Sequence, residues 1–173
     1  QYAPADEGEL RRLTWFVHVD AARGGRVRPS QGVELDAWYE LAGDTGISEG
    51  GDYRYERAVA ELRAYQRISR MDHLALRVRA GTVGSERGLI EDVPVQHRFY
   101  LGGVGSLRGY DLKQFNGDRL FLATLEYTLG GDGWGSIFSG WALTFFYDWG
   151  SAWMADPGED LFAYRDALLE LAS

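Results

Sequence analysis

Along most of this chain, apolar and polar side chains alternate with a period of two. That pattern describes a β-strand whose two faces meet different surroundings, because successive side chains of an extended backbone point to opposite sides. From Gly32 to Leu41 one parity reads Val33, Leu35, Ala37, Tyr39, Leu41 and the other Glu34, Asp36, Trp38, Glu40. From Tyr53 to Ile68, Ala58, Ala60, Leu62 and Ala64 oppose Arg57, Glu61, Arg63, Tyr65 and Arg67. From His73 to Gly81, Leu74, Leu76, Val78 and Ala80 oppose Ala75, Arg77 and Arg79. The same holds for Leu120–Leu129 and Trp141–Trp153, and in shorter form for Thr14–Ala21. Turn-like stretches separate the runs, around residues 22–26, 43–52, 69–72, 85–88 and 130–133. No repeat, linker or low-complexity tract interrupts them, so the chain reads as one all-β domain.

Two folds fit this alternation. A soluble sandwich or barrel would turn the apolar face inward and leave the charged face in water. A transmembrane β-barrel would do the reverse, with the apolar face in lipid and the charges lining a lumen. The run lengths match the roughly 9–11 residues of a tilted membrane strand. The polar faces carry both signs of charge. Tyr39, Tyr53, Tyr55, Tyr127, Trp134, Trp141, Trp149 and Trp153 fall near strand ends, where an interfacial girdle would lie. No apolar stretch approaches the roughly 20 residues of a membrane helix, and Gln1 to Glu9 has neither the basic nor the apolar region of a signal peptide. Absence of cysteine excludes a disulfide scaffold and thiolate metal sites. A net charge of −8 argues against nucleic acid as a partner.

Residues 94–129 carry the most specific signal. They contain Arg98-Phe99-Tyr100-Leu101-Gly102-Gly103, then Leu107-Arg108-Gly109-Tyr110, Gly117-Asp118 and Leu125-Glu126-Tyr127. Downstream stands Phe146-Tyr147-Asp148-Trp149-Gly150-Ser151-Ala152-Trp153, and upstream Arg28-Pro29-Ser30-Gln31-Gly32. In this order the blocks resemble the bacterial surface antigen family, the C-terminal barrel of the BamA/TamA outer-membrane assembly and translocation superfamily. The resemblance covers most of residues 14–153. It implies an antiparallel transmembrane β-barrel in the outer membrane of a Gram-negative-type bacterium, with a loop tucked into the lumen whose arginine contacts acidic strand residues.

The residues support that reading. By parity Glu126 and Asp148 share the polar face of consecutive strands, so they can be neighbours. Arg108 lies in a glycine-rich loop with too few apolar residues to pack alone. A guanidinium forks onto paired carboxylates through charge-assisted hydrogen bonds. Arg108 is therefore expected to bond Asp148 with Glu126 in reach, Gly109 to supply a positive φ or a close approach, and Tyr110 to stack on the inner wall. Gly102, Gly103, Gly117, Asp118 and Gly150 complete the strand motifs. Arg57, Arg63, Arg67, Arg77 and Arg79 against Glu34, Asp36, Glu40 and Glu61 read as a structural ladder of cross-strand ion pairs rather than a substrate path.

No catalytic constellation emerges. His18, His73 and His97 lack ligand spacing, no cleft accompanies the paired carboxylates, Ser106 is not in a nucleophile elbow, and Gly102–Gly105 opens no helix that could cradle phosphate. The chain is expected to be non-enzymatic, with no cofactor and no metal.

Seven candidate strands result, the seventh being Val95–Gly102. The chain is therefore expected to be part of a larger barrel, since a sheet edge left open in lipid would expose unpaired backbone groups. After Trp153 an acidic stretch precedes Leu161, Tyr164, Leu168 and Leu171 at helical spacing, so residues 154–173 read as a tail with a short amphipathic helix, or as the start of a further loop and strand. The expected function is assistance in inserting or translocating outer-membrane proteins, or lipids. The expected partners are outer-membrane lipid, an unfolded outer-membrane protein or other translocated substrate, and accessory assembly proteins. The rival readings are a porin-like or membrane-anchor barrel of a fused surface protein, and a soluble ligand-binding β-domain.

Overall fold

The computed structural model describes residues 7–24, 29–43, 52–70, 72–85, 93–130 and 142–155. The strands are β1 (Arg12–Asp20), β2 (Arg23–Gly24), β3 (Pro29–Ala42), β4 (Tyr55–Arg67), β5 (Asp72–Ser85), β6 (Phe99–Leu101), β7 (Phe115–Gly117), β8 (Arg119–Gly130) and β9 (Ala142–Trp153). The main sheet is an antiparallel meander in the order β1-β3-β4-β5-β8-β9, with β2 beside β3. Among the described residues it is an open sheet with β1 and β9 at its edges, a partial wall rather than a closed barrel.

Register converts the sequence parities into two faces. The row Val19, Leu35, Leu62, Val78, Ala123, Trp149 crosses all six long strands on one face. Of these, Val19, Leu35, Leu62 and Trp149 are exposed, as are Trp15, Val17, Leu76, Leu125, Phe145 and Tyr147 on the same face. A soluble sandwich would bury that face, whereas here it is the outer surface, as a lipid-facing belt requires.

The opposite face holds the charges, and they pair. Glu61 contacts Arg63, Arg77 (2.9 Å) and Arg79 (3.8 Å). Arg63 also reaches Glu34 (3.5 Å) and Asp36 (3.4 Å), and Glu40 sits between Arg12 and Arg57, at 3.4 Å from each. Arg67, from the same expected set, faces His73 across β4 and β5. This is a ladder of cross-strand neighbours, the arrangement that opposite charges on one sheet face adopt.

Two expectations are corrected here. Val95–Gly102 is not a strand of the wall: Val95–His97 forms a single 3-10 turn, and only Phe99–Leu101 is extended, paired with β7 in a separate two-stranded ribbon. The reason is that β5 pairs directly with β8, so the 93–118 segment has no place in the ladder. It folds back over the charged face. Its Val93, Phe99, Leu101 and Leu107 are buried with Val59, Val83, Leu120 and Leu122 of the wall, and this is where the core sits. Tyr55 is likewise no girdle residue, because it lies on the inner face and is fully buried under that segment. Two strands run longer than the alternation indicated, β3 starting at Pro29 and β5 continuing to Ser85. Trp134, Trp141, the turn residues 44–51, 86–88 and 131–133, and the expected helix within 156–173 lie outside the described residues.

Candidate functional site

The site is the landing point of the 93–118 segment on β8 and β9. Thr124 pairs with Asp148, and Glu126 with Phe146, so the two carboxylates are diagonal neighbours on the inner face, two residues apart in register. Arg108 closes the gap. Its Nε and Nη2 donate to the two oxygens of Asp148, both at 2.7 Å, and its Nη1 donates to Oε1 of Glu126 at 2.7 Å. The backbone N–H of Arg108 donates to the same Asp148 at 3.1 Å. The guanidinium lies 3.6 Å above the centroid of the Phe146 ring, which supplies a cation–π floor. The three side-chain hydrogen bonds require a planar fork, which lysine lacks.

The two carboxylates are not equivalent. The Asp148 side chain is 4% exposed and that of Glu126 37%. Asp148 is thus the desolvated anchor and Glu126 the wetter outrigger. Hydrogen bonds to Asp148, then to Glu126, raise the already high pKa of Arg108, so the cation is permanent.

Backbone geometry presents Arg108 to them. Gly102 sits at φ +116°, and a Cβ there would run into the carbonyl of Asp111. Its N–H donates to Ser106 Oγ at 2.8 Å, and the N–H of Gly103 (φ +90°) donates to Tyr110 O at 3.1 Å. The tip is therefore a closed, self-bonded turn. Gly109 has a positive φ of +92° but, among the described residues, nothing within 4 Å of where a Cβ would stand, so conformation and not close approach selects glycine there. Leu107 is buried beside the arginine. Tyr110 does not stack on the wall. It is exposed and packs edge-on against Phe115, 5.3 Å away within the segment itself, because β7 rather than the wall lies next to it.

The remaining motif residues hold the root. A Cβ at Gly117 would overlap the backbone of Trp153, and one at Gly150 would lie 2.7 Å from the carbonyl of Phe121. Asp118, between β7 and β8, is tied to β5 and to the end of β9: its N–H donates to Trp153 O (3.1 Å), its carbonyl accepts from Val83 N (2.8 Å), and its Oδ1 accepts from Ala155 N (2.8 Å). His97 was not singled out by its spacing, yet its Nδ1 is 2.9 Å from the hydroxyl of Tyr55. Burial lowers its pKa, and Arg57 and Arg12 act in the same direction against Glu40. Arg77 Nη1 donates to Gly105 O at 3.3 Å, a further tie between wall and tip. The charge ladder and the arginine site thus form one polar surface under the segment.

Comparison with known proteins agrees with this architecture. Residues 13–168 match the Omp85 superfamily domain. Over 135 residues the chain is 31% identical to the outer membrane protein assembly factor BamA of Nitratidesulfovibrio vulgaris, an alignment that spans 70% of this chain and 16% of that protein's length.

Proposed function

The chain belongs to the Omp85 superfamily, and from that premise we propose that it is the wall-and-brace portion of a larger barrel that assists the insertion or translocation of outer-membrane proteins. It is an outer-membrane β-barrel chain of a Gram-negative bacterium. The observation that carries the proposal is the five-contact seat of Arg108 on Asp148, Glu126 and Phe146. A segment held so firmly on the inner face stiffens the wall it crosses, β4 through β9. Work on a substrate is then confined to sheet edges, where unpaired backbone groups can template an incoming strand.

Nothing in this mechanism makes or breaks a covalent bond. The ladder charges Glu34, Asp36, Glu40, Arg57, Glu61, Arg63, Arg77 and Arg79 are engaged with one another, and Arg108 and Asp148 neutralise each other. The chemistry available is hydrogen-bond exchange at a strand edge and burial of apolar surface in lipid. The partners proposed are outer-membrane lipid on the exposed belt, an unfolded outer-membrane protein as substrate, and accessory assembly proteins.

The test uses the full-length protein in proteoliposomes supplied with an unfolded outer-membrane barrel protein, whose folding is read by heat-modifiable gel migration. Arg108→Ala is expected to slow substrate folding while the assembly protein keeps its own heat-modifiable band. Substrate folding at the parental rate would refute the role of the brace.

A further inference from the structure

We propose that Phe99 and Gly81 form a peg and socket that positions Arg108 on its carboxylates, so that the arginine is aimed from the root of its segment and not by the ion pairs alone. This deepens the reading of the segment as an inner brace and rests on it.

Gly81 interrupts the inner face of β5. Across the ladders it faces Val59 of β4 and Leu120 of β8, both buried. A glycine inside a strand leaves a notch and weakens the strand, so its use needs a reason such as close approach of another group. Here the group is the Phe99 ring: a Cβ on Gly81 would lie 2.6 Å from Cζ and 2.8 Å from Cε1 of Phe99, and 3.3 Å from Val59 Cγ2. Phe99 is 3% exposed. Its ring is also covered by the Arg57 guanidinium, 5.0 Å from the centroid. Arg57 is held there by Glu40, so the charge ladder closes the socket from one side.

The link from peg to arginine is stiff. Phe99 begins β6, whose pairing with β7 runs Phe99↔Gly117 to Leu101↔Phe115. Beyond it, the bonds from Gly102 N to Ser106 Oγ and from Gly103 N to Tyr110 O lock the turn that carries Arg108. Shifting the peg therefore shifts the guanidinium. The contacts at 2.7 Å to two separate carboxylates tolerate little displacement before the geometry of both is lost.

The reporter is Leu107→Cys in the full-length protein, with any cysteine outside these residues replaced by serine; this chain contributes none. Leu107 is buried beside Arg108, so the maleimide labelling rate reads how often the tip lifts. Gly81→Ala is expected to raise that rate about tenfold or more, as overpacking a filled site does. Adding Phe99→Leu, which shortens the peg, is expected to return the rate to within about threefold of the parent, on the same conversion of free energy to population. If Gly81→Ala prevents folding, recovery of the heat-modifiable band on adding Phe99→Leu is the supporting result. The proposal is overturned if Gly81→Ala leaves labelling unchanged, or if its effect persists in the double variant. The readout is loop position, so it stands or falls separately from substrate folding.

Discussion

Asp148 and Glu126 both bond Arg108 at 2.7 Å, yet removing their charges should have unequal consequences. Asp148 accepts three bonds from Arg108, including one from its backbone, and is almost fully desolvated. In Asp148→Asn one carboxylate oxygen becomes an NH₂ group aimed at N–H donors. Breaking a buried pair from one side costs about 3–5 kcal/mol. Arg108 keeps Glu126 and some water, so the lower end, about 3 kcal/mol, applies, which is roughly a hundredfold in the docked-to-lifted ratio. Glu126→Gln loses the charge of a half-exposed group that gives one bond, and the amide oxygen can still accept it. The cost is about 0.5–1 kcal/mol, or two- to fivefold. Hydrogen exchange read by mass spectrometry on a tip peptide within residues 103–112 of the full-length protein in detergent measures the ratio, because local opening sets exchange of the Arg108 amide. Asp148→Asn should accelerate exchange there at least tenfold more than Glu126→Gln. Equal acceleration, or a larger effect from Glu126→Gln, would refute the assignment of Asp148 as anchor.

Three further outcomes follow from the geometry. Gly117→Ala should abolish the heat-modifiable band or lower its melting point sharply, since its Cβ has no space against Trp153, whereas Gly105→Ala, with nothing within 4 Å among the described residues, should leave it unchanged. Leu125→Arg, on the exposed apolar face, should destabilise the barrel in lipid by about 2–4 kcal/mol if it sits at the bilayer midplane, while Thr128→Arg on the inner face should cost much less by the same denaturant titration. His97 has a folded pKa below its ordinary 6.5, so the unfolded state binds more protons in the window below 6.5. Its contribution is fully present above that pH and is lost as pH falls through the window. The protection factor of peptides spanning 93–98, which is exchange measured against the intrinsic rate at each pH, should therefore fall on acidification, and His97→Gln should flatten that dependence.

What could be read from the sequence, and what could not, divides along range. The faces of β3, β4, β5, β8 and β9 were legible because a period of two is a property of each strand alone, and pairing only has to respect it. Glu126, Asp148 and Arg108 were legible because residue chemistry names the partners once parity puts both acids on one face. The Val95–Gly102 segment failed for an instructive reason. Phe99 and Leu101 alternate as a wall strand would, but their apolar side meets the inner wall, not lipid, and periodicity does not say which apolar surface will cover a residue. Phe115–Gly117 is three residues long, too short to carry a period. Tyr110 was misplaced because its neighbour Phe115 belongs to that unseen strand.

The Phe99–Gly81 contact had a signal that local reading passed over: a glycine at an inner-face position of an otherwise unbroken strand. That glycine changes how the docked segment should be understood. If the ion pairs alone held it, the brace would be as reversible as a salt bridge with one wet partner. An apolar peg in a notch, beside a guanidinium fork, divides the work between a root that stays dry and a tip whose exposed Val104 and Leu112 leave it less tightly covered. Rigidity at the root and freedom at the tip are then separate quantities, set by different residues. Variants at Gly81 and at Asp148 are expected to couple rather than add, because the aim of Arg108 onto Asp148 depends on the peg.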